Sequence, residues 1–145
     1  MIADIDFFHG VVFSRMIGEK ASRFEKIETN NSSYIIDERI PIYIKYSQKR
    51  ISPWIFTFTE AHIEEIKKVQ NGFKEVFILL VCNNNGVCCL NYQEFSTVIS
   101  TESNYFPKWI KAQRQKGEKY AVTGSDGKLT HKIGDSDFPR KIQLS

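Results

Sequence analysis

One short stretch of the chain, residues 42–54, holds most of the side-chain types that contact nucleic acid. Its lysines and arginine suit phosphate groups, and its serines add hydrogen bonds. A tyrosine, if exposed, offers a ring on which a base can stack. The pattern predicts a binding surface, with an alternative in which Trp54 is core and the cations only keep an exposed turn hydrated. The candidate nucleic-acid-binding residues in this stretch are Tyr43, Lys45, Ser47, Lys49, Arg50 and Ser52.

A second concentration of cations lies in the C-terminal third of the chain. Residues 104–145 hold 9 Lys and Arg against 4 Asp and Glu, whereas residues 1–103 hold 11 against 13. Lys108, Lys111 and Arg114 lie on either side of Trp109 in a predicted strand pair and are further candidate nucleic-acid-binding residues. Interleaved cations and aromatics are typical of surfaces that bind nucleic acid. A protein partner is an equally open interpretation for this segment.

The strand that would carry Tyr43 and Lys45 has a clear pattern. Apolar side chains alternate with others from residue 40 to residue 46, which is the period of a strand with one buried face. Tyr43 and Lys45 then share the opposite face. Polar residues 48–53 link this strand to a second amphipathic strand, Trp54 to Phe58.

Capping and turn signals delimit the remaining elements. We expect helices that begin at Asp4 or Asp6, at Thr59 and at Asn91. We expect further strands at 23–28, 34–36, 76–82, 87–90, 105–113 and 119–123, with turns at 30–33, 83–86 and 124–127. The run 76–82 is continuously apolar, as in a central strand covered on both faces.

These elements predict a single α/β (α+β) domain over residues 1–145, with a mixed central sheet flanked by helices. Its core would span 1–103, and 104–145 would form a small, basic, β-rich C-terminal extension. The order helix, three strands, helix and strand over residues 7–82, with a lysine on the third strand, resembles the core of the PD-(D/E)XK restriction-endonuclease-like superfamily. The resemblance implies that Lys45 corresponds to the lysine that helps to activate the attacking water beside a divalent cation.

The carboxylates of that family do not match this sequence. An Asp on the second strand and a Glu two residues before the lysine bind the cation in the family, but Tyr43 stands two residues before Lys45. Asn31, Ser32 and Ser33 occupy the stretch that would supply the Asp. We therefore expect a degenerate, non-cleaving member of the superfamily, with no metal site and no cofactor.

Three functions remain open on this basis. The first is a nucleic-acid-associated protein of a bacterial restriction or anti-phage setting, a setting that comes from the resemblance alone, with nucleic acid or a nuclease as partner. The second is an active Mg²⁺-dependent nuclease in which Lys45 and Asp37 are catalytic. Its other carboxylates would have migrated to Glu19, Glu25 or Glu28. The third is an interaction subunit that binds a protein and no nucleic acid.

Composition and cysteine content narrow the class of protein. The chain is 41% hydrophobic and 26% charged, as in ordinary globular domains. It begins without the basic segment of a secretory signal, and no run approaches the roughly 18 apolar residues of a membrane span. Three cysteines, with Cys82 expected opposite Cys88 or Cys89, suit a reducing compartment and lack zinc-site spacing. We expect a cytoplasmic protein with no membrane association.

Overall fold

A computed structural model of the chain describes residues 2–27 and 32–142. The fold is mixed α+β, as the sequence predicts. In chain order the elements are α1 (Asp4–Gly18), β1 (Phe24–Lys26), β2 (Ser33–Ile36), β3 (Ile40–Ser47), β4 (Trp54–Phe58), α2 (Glu60–Phe73), β5 (Phe77–Cys82), β6 (Val87–Leu90), α3 (Tyr92–Val98), β7 (Lys108–Gln113), β8 (Ala121–Gly124), β9 (Gly127–Lys128) and α4 (Asp137–Arg140).

The first sheet has the strand order β1-β2-β3-β5-β6. Its neighbouring strands are antiparallel, except that β5 runs parallel to β3. A parallel pair requires a crossover connection, and α2 lies in that connection. All residues of β5 are buried, which confirms the prediction of a central strand covered on both faces.

The second sheet has the order β4-β7-β8-β9 and is antiparallel throughout. Strand β4 therefore does not join the first sheet. It pairs with β7, a strand from the C-terminal third. Ile110 and Val122 of this segment belong to the same buried cluster as Phe56 and Phe58. Residues 104–142 are thus part of the packed core and not the appendage that the sequence suggested.

Strand β3 is more deeply buried than its alternating pattern predicts. Ile42 and Ile44 pack in a cluster that includes Met16 of α1. Tyr43, on the opposite face, belongs to the other cluster, which includes Ile66 of α2. The expectation of one buried face is wrong for the first five residues of β3, because α2 and the second sheet cover the face that was expected to be open.

The helix starts are partly as predicted. Thr59 caps α2 by accepting a hydrogen bond from the His62 N–H, and Asn91 caps α3 in the same way. The N-cap of α1 is Ala3, so Asp4 and Asp6 lie in the first turn, where carboxylates favour the helix dipole. No helix within residues 2–27 and 32–142 is long and apolar enough to cross a membrane.

The first two strands are shorter or shifted relative to the sequence pattern. Strand β1 covers Phe24–Lys26, whereas 23–28 was expected. Ser33, expected in a turn, already belongs to β2. Residues 28 and 30–31 of the expected strand and turn lie outside the described residues.

Candidate nucleic-acid interface

Lys45 faces α2 in a group of polar side chains that we call the Lys45 cluster, formed by Tyr43, Lys45, His62 and Glu65. The Lys45 Nζ atom lies 3.4 Å from His62 Nδ1 and 5.0 Å from the centroid of the Phe58 ring. The Tyr43 hydroxyl donates a hydrogen bond of 3.1 Å to Glu65 Oε2. Strand β3 and helix α2 thus bring together one ammonium, one imidazole and one carboxylate.

Partial burial shifts the pKa values of Lys45 and His62 in this cluster. Burial lowers the pKa of Lys45, and the charge of Glu65 opposes that shift. Burial also lowers the pKa of His62 below its ordinary value of 6.5, and the Lys45 charge lowers it further. His62 is therefore neutral at pH 7. Its Nδ1 atom faces the Thr59 N–H at 3.2 Å as well as the Lys45 ammonium, so Nδ1 accepts and Nε2 carries the proton.

We expect an NMR titration of the imidazole carbons to give His62 a pKa below 6.5 in the folded protein. Because the unfolded chain then binds the proton more tightly, this group removes stability as the pH falls below about 6.5. The substitution Lys45→Met should raise the pKa of His62 by removing the neighbouring charge. His9, whose pKa is also lowered by burial but not by Lys45, serves as the control. An unchanged His62 titration in Lys45→Met would contradict this arrangement.

Among residues 2–27 and 32–142 the carboxylates do not assemble a cation site around Lys45. Asp37 lies in the exposed turn before β3, where Oδ1 accepts hydrogen bonds from the N–H groups of Ser22 and Arg23 at 3.0 and 2.8 Å. These hydrogen bonds lower the pKa of Asp37 and fix the connection between α1 and β1. Its carboxylate is therefore committed to local structure.

Of the alternative carboxylates, the two that the structure describes, Glu19 and Glu25, are not part of a metal-binding group. Glu25 pairs with Arg23 at 2.7 Å, Glu19 is the C-cap of α1, and residue 28 lies outside the described residues. No three His, Cys, Asp or Glu side chains in the described part of the chain are grouped to hold a metal ion. The donor set around Lys45 does not fit a divalent cation, and no metal-assisted step follows from it.

An open cleft of about 870 Å³ lies beside the cluster. Apolar side chains, among them Ile35 and Phe73, form much of its lining. Its rim carries charges of both signs, Glu64, Glu65, Lys67 and Lys68. This balance gives a phosphate no net attraction, so the cleft does not extend a nucleic-acid surface.

Residues 48–53, which we call the basic loop, connect β3 to β4. Lys49 and Arg50 are both exposed. Within residues 2–27 and 32–142 neither forms an ion pair. Trp54 is only 1% exposed, so it belongs to the core, while the two cations remain available to solvent or a ligand.

The backbone of the basic loop is fixed by hydrogen bonds from several parts of the chain. The anchors are Trp54 Nε1 to the Lys49 carbonyl (2.8 Å), Asn83 Nδ2 to the Gln48 carbonyl (2.8 Å), the Lys49 N–H to Ser47 Oγ (3.2 Å) and the Arg114 N–H to Ser52 Oγ (3.1 Å). Both serine oxygens thus accept bonds that shape the loop. The two cations are presented on a preorganised backbone.

Three predicted contact residues are placed in the interior. Tyr43 is 1% exposed, so the expectation of an exposed stacking ring is wrong. Lys108 is 1% exposed, and its Nζ atom lies 2.7 Å from Asp126 Oδ2. The Arg114 side chain is 8% exposed and ion-paired with Asp135 at 2.8 Å. These side chains find their partners within the protein, because each one points inward from its strand or strand end.

Arg114 is the most completely engaged of these cations. Its Nε and Nη2 atoms donate to the side-chain and backbone oxygens of Asn85 at 2.8 and 3.0 Å. Its guanidinium carbon lies 4.0 Å from the centroid of the Tyr120 ring. The residue joins the β5–β6 turn to the second sheet, and it has little capacity left for a phosphate.

The three cysteines carry no sign of reactivity. The register Val81 opposite Val87 puts Cys82 beyond the last ladder pair, and its N–H bonds to Gly86, so the expected pairing with Cys88 or Cys89 is wrong. All three thiols are buried. Burial raises the pKa of Cys82 to about 12 and raises the pKa of Cys89 further, so neither ionises near neutral pH.

Sequence reasoning missed two groups of residues. His62 and Glu65 share one face of α2 at i, i+3 spacing, but only the crossover of α2 brings that face to Lys45. The solvent-facing side of the second sheet was missed as well. An alternating pattern along residues 108–113 would have predicted this open side of the strand. Lys108 obscures the pattern, because it is a lysine at a buried position.

Comparisons with known proteins identify no relative: no family model, curated protein or solved structure matches the chain. The function of the chain is therefore inferred from the geometry and charge of its surfaces.

Proposed function

We propose that this protein binds nucleic acid without cleaving it, and that the basic loop supplies phosphate contacts. The observation that carries the proposal is a pair of exposed cations, Lys49 and Arg50, which form no ion pair with any described residue and lie on a loop held by hydrogen bonds from other segments. Ordering a loop on binding reduces affinity, and this loop is already ordered. Cations presented in this way release counterions when they meet a phosphate backbone.

The environment of Lys45 supports the part of the proposal that excludes cleavage. Its ammonium packs on Phe58 and lies beside a neutral His62. The charge of the Glu65 carboxylate raises the pKa of Lys45 and so favours the ammonium form. A lysine that assists a metal-bound water needs a cation held by several oxygen ligands. Such a set is not grouped in the described residues. Lys45 is accordingly not among the phosphate contacts we propose.

We further propose that the chain is a degenerate relative of the restriction-endonuclease-like superfamily. The element order α1, β1, β2, β3, α2, β5, with β5 parallel to β3, is what supports this resemblance. Strand β4 is inserted before α2 and pairs elsewhere. A role in bacterial restriction or anti-phage defence would follow from the resemblance alone.

Binding can be tested by fluorescence anisotropy with labelled single- and double-stranded DNA and RNA over a series of salt concentrations. We expect Lys49→Ala/Arg50→Ala to weaken binding and to reduce the slope of log affinity against log salt by about 2. Arg15→Ala/Lys20→Ala removes the same charge from the α1 end of the molecule and should retain most of the slope. Equal effects of the two pairs, or salt-insensitive binding, would contradict a specific contribution from the basic loop.

Cleavage is tested in the same samples with Mg²⁺ or Mn²⁺ added. Intact substrate after long incubation supports the proposal. Metal-dependent cutting that Lys45→Ala abolishes would instead establish a nuclease with migrated carboxylates. Failure to bind any nucleic acid would overturn the proposal and point to a protein partner.

A further inference from the structure

The second sheet has one face packed on the core and one face open to solvent. Residues alternate between buried and exposed positions along β4, and β7 shows the same alternation with one half-buried position. The strand register aligns the outward positions into a row across all four strands. In that row Ile55 lies opposite Lys111, Lys111 opposite Thr123, and Thr123 opposite Lys128. We call this side of the sheet the outer face.

The adjacent row adds large apolar surface to the outer face. Thr57 lies opposite Trp109, whose side chain is 39% exposed. Ile55, in the first row, is 56% exposed. Exposed patches that combine large apolar side chains mark interaction sites, whereas apolar residues scattered singly over a surface do not. The outer face therefore has the composition of a contact surface.

The charge of the outer face is of one sign. None of its outward strand positions is acidic: these positions hold Ile55, Thr57, Trp109, Lys111, Gln113, Ala121, Thr123 and Lys128. Asp126, in the turn between β8 and β9, is committed to the buried Lys108 on the other side. A ligand that covers this face must therefore be neutral or anionic.

The outer face continues toward the basic loop. The bond from the Arg114 N–H to Ser52 Oγ ties the loop to the end of β7. A depression of about 600 Å³ at this end is lined by Arg50, Ile51 and Lys116, among others, and its acidic lining residue, Asp135, is ion-paired with Arg114. Ile51 is 71% exposed. The basic loop therefore adjoins the end of β7, the strand that carries Lys111 and Trp109.

We propose that the outer face binds single-stranded nucleic acid, with Trp109 stacking on an unpaired base and Lys111 and Lys128 contacting phosphates. The proposal rests on the proposed function and specifies the form of its substrate. Bases in a duplex are covered by their neighbours, so an exposed indole on a broad sheet can stack only on a base that is unpaired. Lys111 and Lys128 are two strands apart, about 10 Å at the backbone, and lie in the row next to Trp109.

A second copy of the chain is a poorer occupant for the same face. In a two-fold dimer each surface meets itself, so the row that carries Lys111 and Lys128 would face its own cations. No acidic residue on the outward strand positions offsets that repulsion. An anionic strand neutralises the same lysines.

The test measures binding of single-stranded and duplex oligonucleotides by Trp109→Ala, Trp109→Phe and Phe7→Ala. Alanine at 109 should weaken single-strand binding roughly fivefold to a hundredfold, the range for loss of one stacked base, and should leave the melting temperature nearly unchanged. Phenylalanine at 109 retains a stacking ring and should restore most of the affinity. Phe7, an exposed aromatic on α1, is the matched control and should have no effect.

Two further measurements keep the result independent of folding defects. Trp109 is one of 2 tryptophans and Trp54 is buried, so single-stranded oligonucleotide should quench the Trp109 emission, and this quenching should be lost in Trp109→Phe. Lys111→Glu/Lys128→Glu should also abolish single-strand binding.

The outcomes separate this inference from the proposed function. Binding that is equal for duplex and single strand, sensitive to Lys49→Ala/Arg50→Ala and insensitive to every change at Trp109, overturns the inference and leaves nucleic-acid binding intact. No binding of any oligonucleotide overturns both. Dimerisation in sedimentation velocity that Trp109→Ala abolishes would assign the outer face to self-association and would also overturn the inference.

Discussion

Asp126→Ala is expected to lower the free energy of unfolding by about 3 kcal/mol, the lower end of the range for breaking a buried ion pair. The Lys108 side chain is 1% exposed, and its ammonium lies 2.7 Å from Asp126 Oδ2. Removing the carboxylate leaves that ammonium buried with no opposite charge beside it. The same oxygen accepts the Ser100 N–H at 2.7 Å, so the connection after α3 loses its anchor too. Urea denaturation measures the loss.

Matched variants at the partner position separate charge from packing. Lys108→Met keeps most of the apolar stem and should cost less than Asp126→Ala, because the Asp126 side chain, 28% exposed, still reaches water and Ser100. Lys108→Met/Asp126→Ala should therefore be more stable than Asp126→Ala alone, with strong non-additivity in the cycle. A loss under about 1 kcal/mol in Asp126→Ala, or additive effects, would show that the pair contributes little.

The ion pair also predicts the direction of an acid effect. Burial raises the pKa of Asp126, but hydrogen bonds from Lys108 and Ser100 outweigh it and hold the pKa below the ordinary value of 3.8. The folded state therefore releases this proton more readily than the unfolded chain does. The stabilisation is present above pH 3.8 and is lost as the pH falls through the lower, folded pKa.

Lys108 illustrates why part of the site could not be predicted from the sequence. A lysine beside Trp109 in a basic segment is typical of a surface, and local pattern gives no reason to bury it. Its partner, Asp126, becomes a neighbour only through the hairpin of β8 and β9 and the pairing of β8 with β7. Side-chain direction depends on strand register, which long-range pairing determines.

The same distinction between local and long-range signals applies to the fold. Capping residues predicted the starts of α2 and α3, and the apolar run predicted β5, because these signals act within a few residues. The pairing of β4 with β7, and not with the first sheet, depends on contacts between residues that lie more than a third of the chain apart. The alternation in β3 correctly put Tyr43 and Lys45 on one face. It did not predict that α2 covers that face.

The second sheet separates the Lys45 cluster from the outer face. Phe58 points to the inner side of β4, where Lys45 contacts its ring, while Ile55 and Thr57 point to the outer face. A strand bound on the outer face cannot reach the Lys45 ammonium. Substitutions at Lys45 should therefore leave binding unchanged even if they alter the titration of His62, which separates binding from any chemistry at the Lys45 cluster.

Gly124→Ala is expected to destabilise the protein by about 3 kcal/mol, the upper part of the range for overpacking. A Cβ atom at Gly124 would lie 2.3 Å from the carbonyl oxygen of Val98 and 2.8 Å from the Val98 Cβ. Both atoms belong to a fully buried residue at the end of α3. The same carbonyl accepts the Asp126 N–H at 3.0 Å, so moving α3 away also strains the turn that positions the partner of Lys108.

Gly10→Ala is the control, with the opposite expected sign. Gly10 lies inside α1, and a Cβ atom there would meet nothing within 4 Å. Alanine at a helical position of this kind should stabilise the protein by about 0.5–1 kcal/mol. Thermal and urea denaturation of both variants measures the contrast. If Gly124→Ala stayed within about 0.5 kcal/mol of the parent, α3 would not be packed closely against the β8–β9 hairpin, and the support of Lys128 on the outer face would need another explanation.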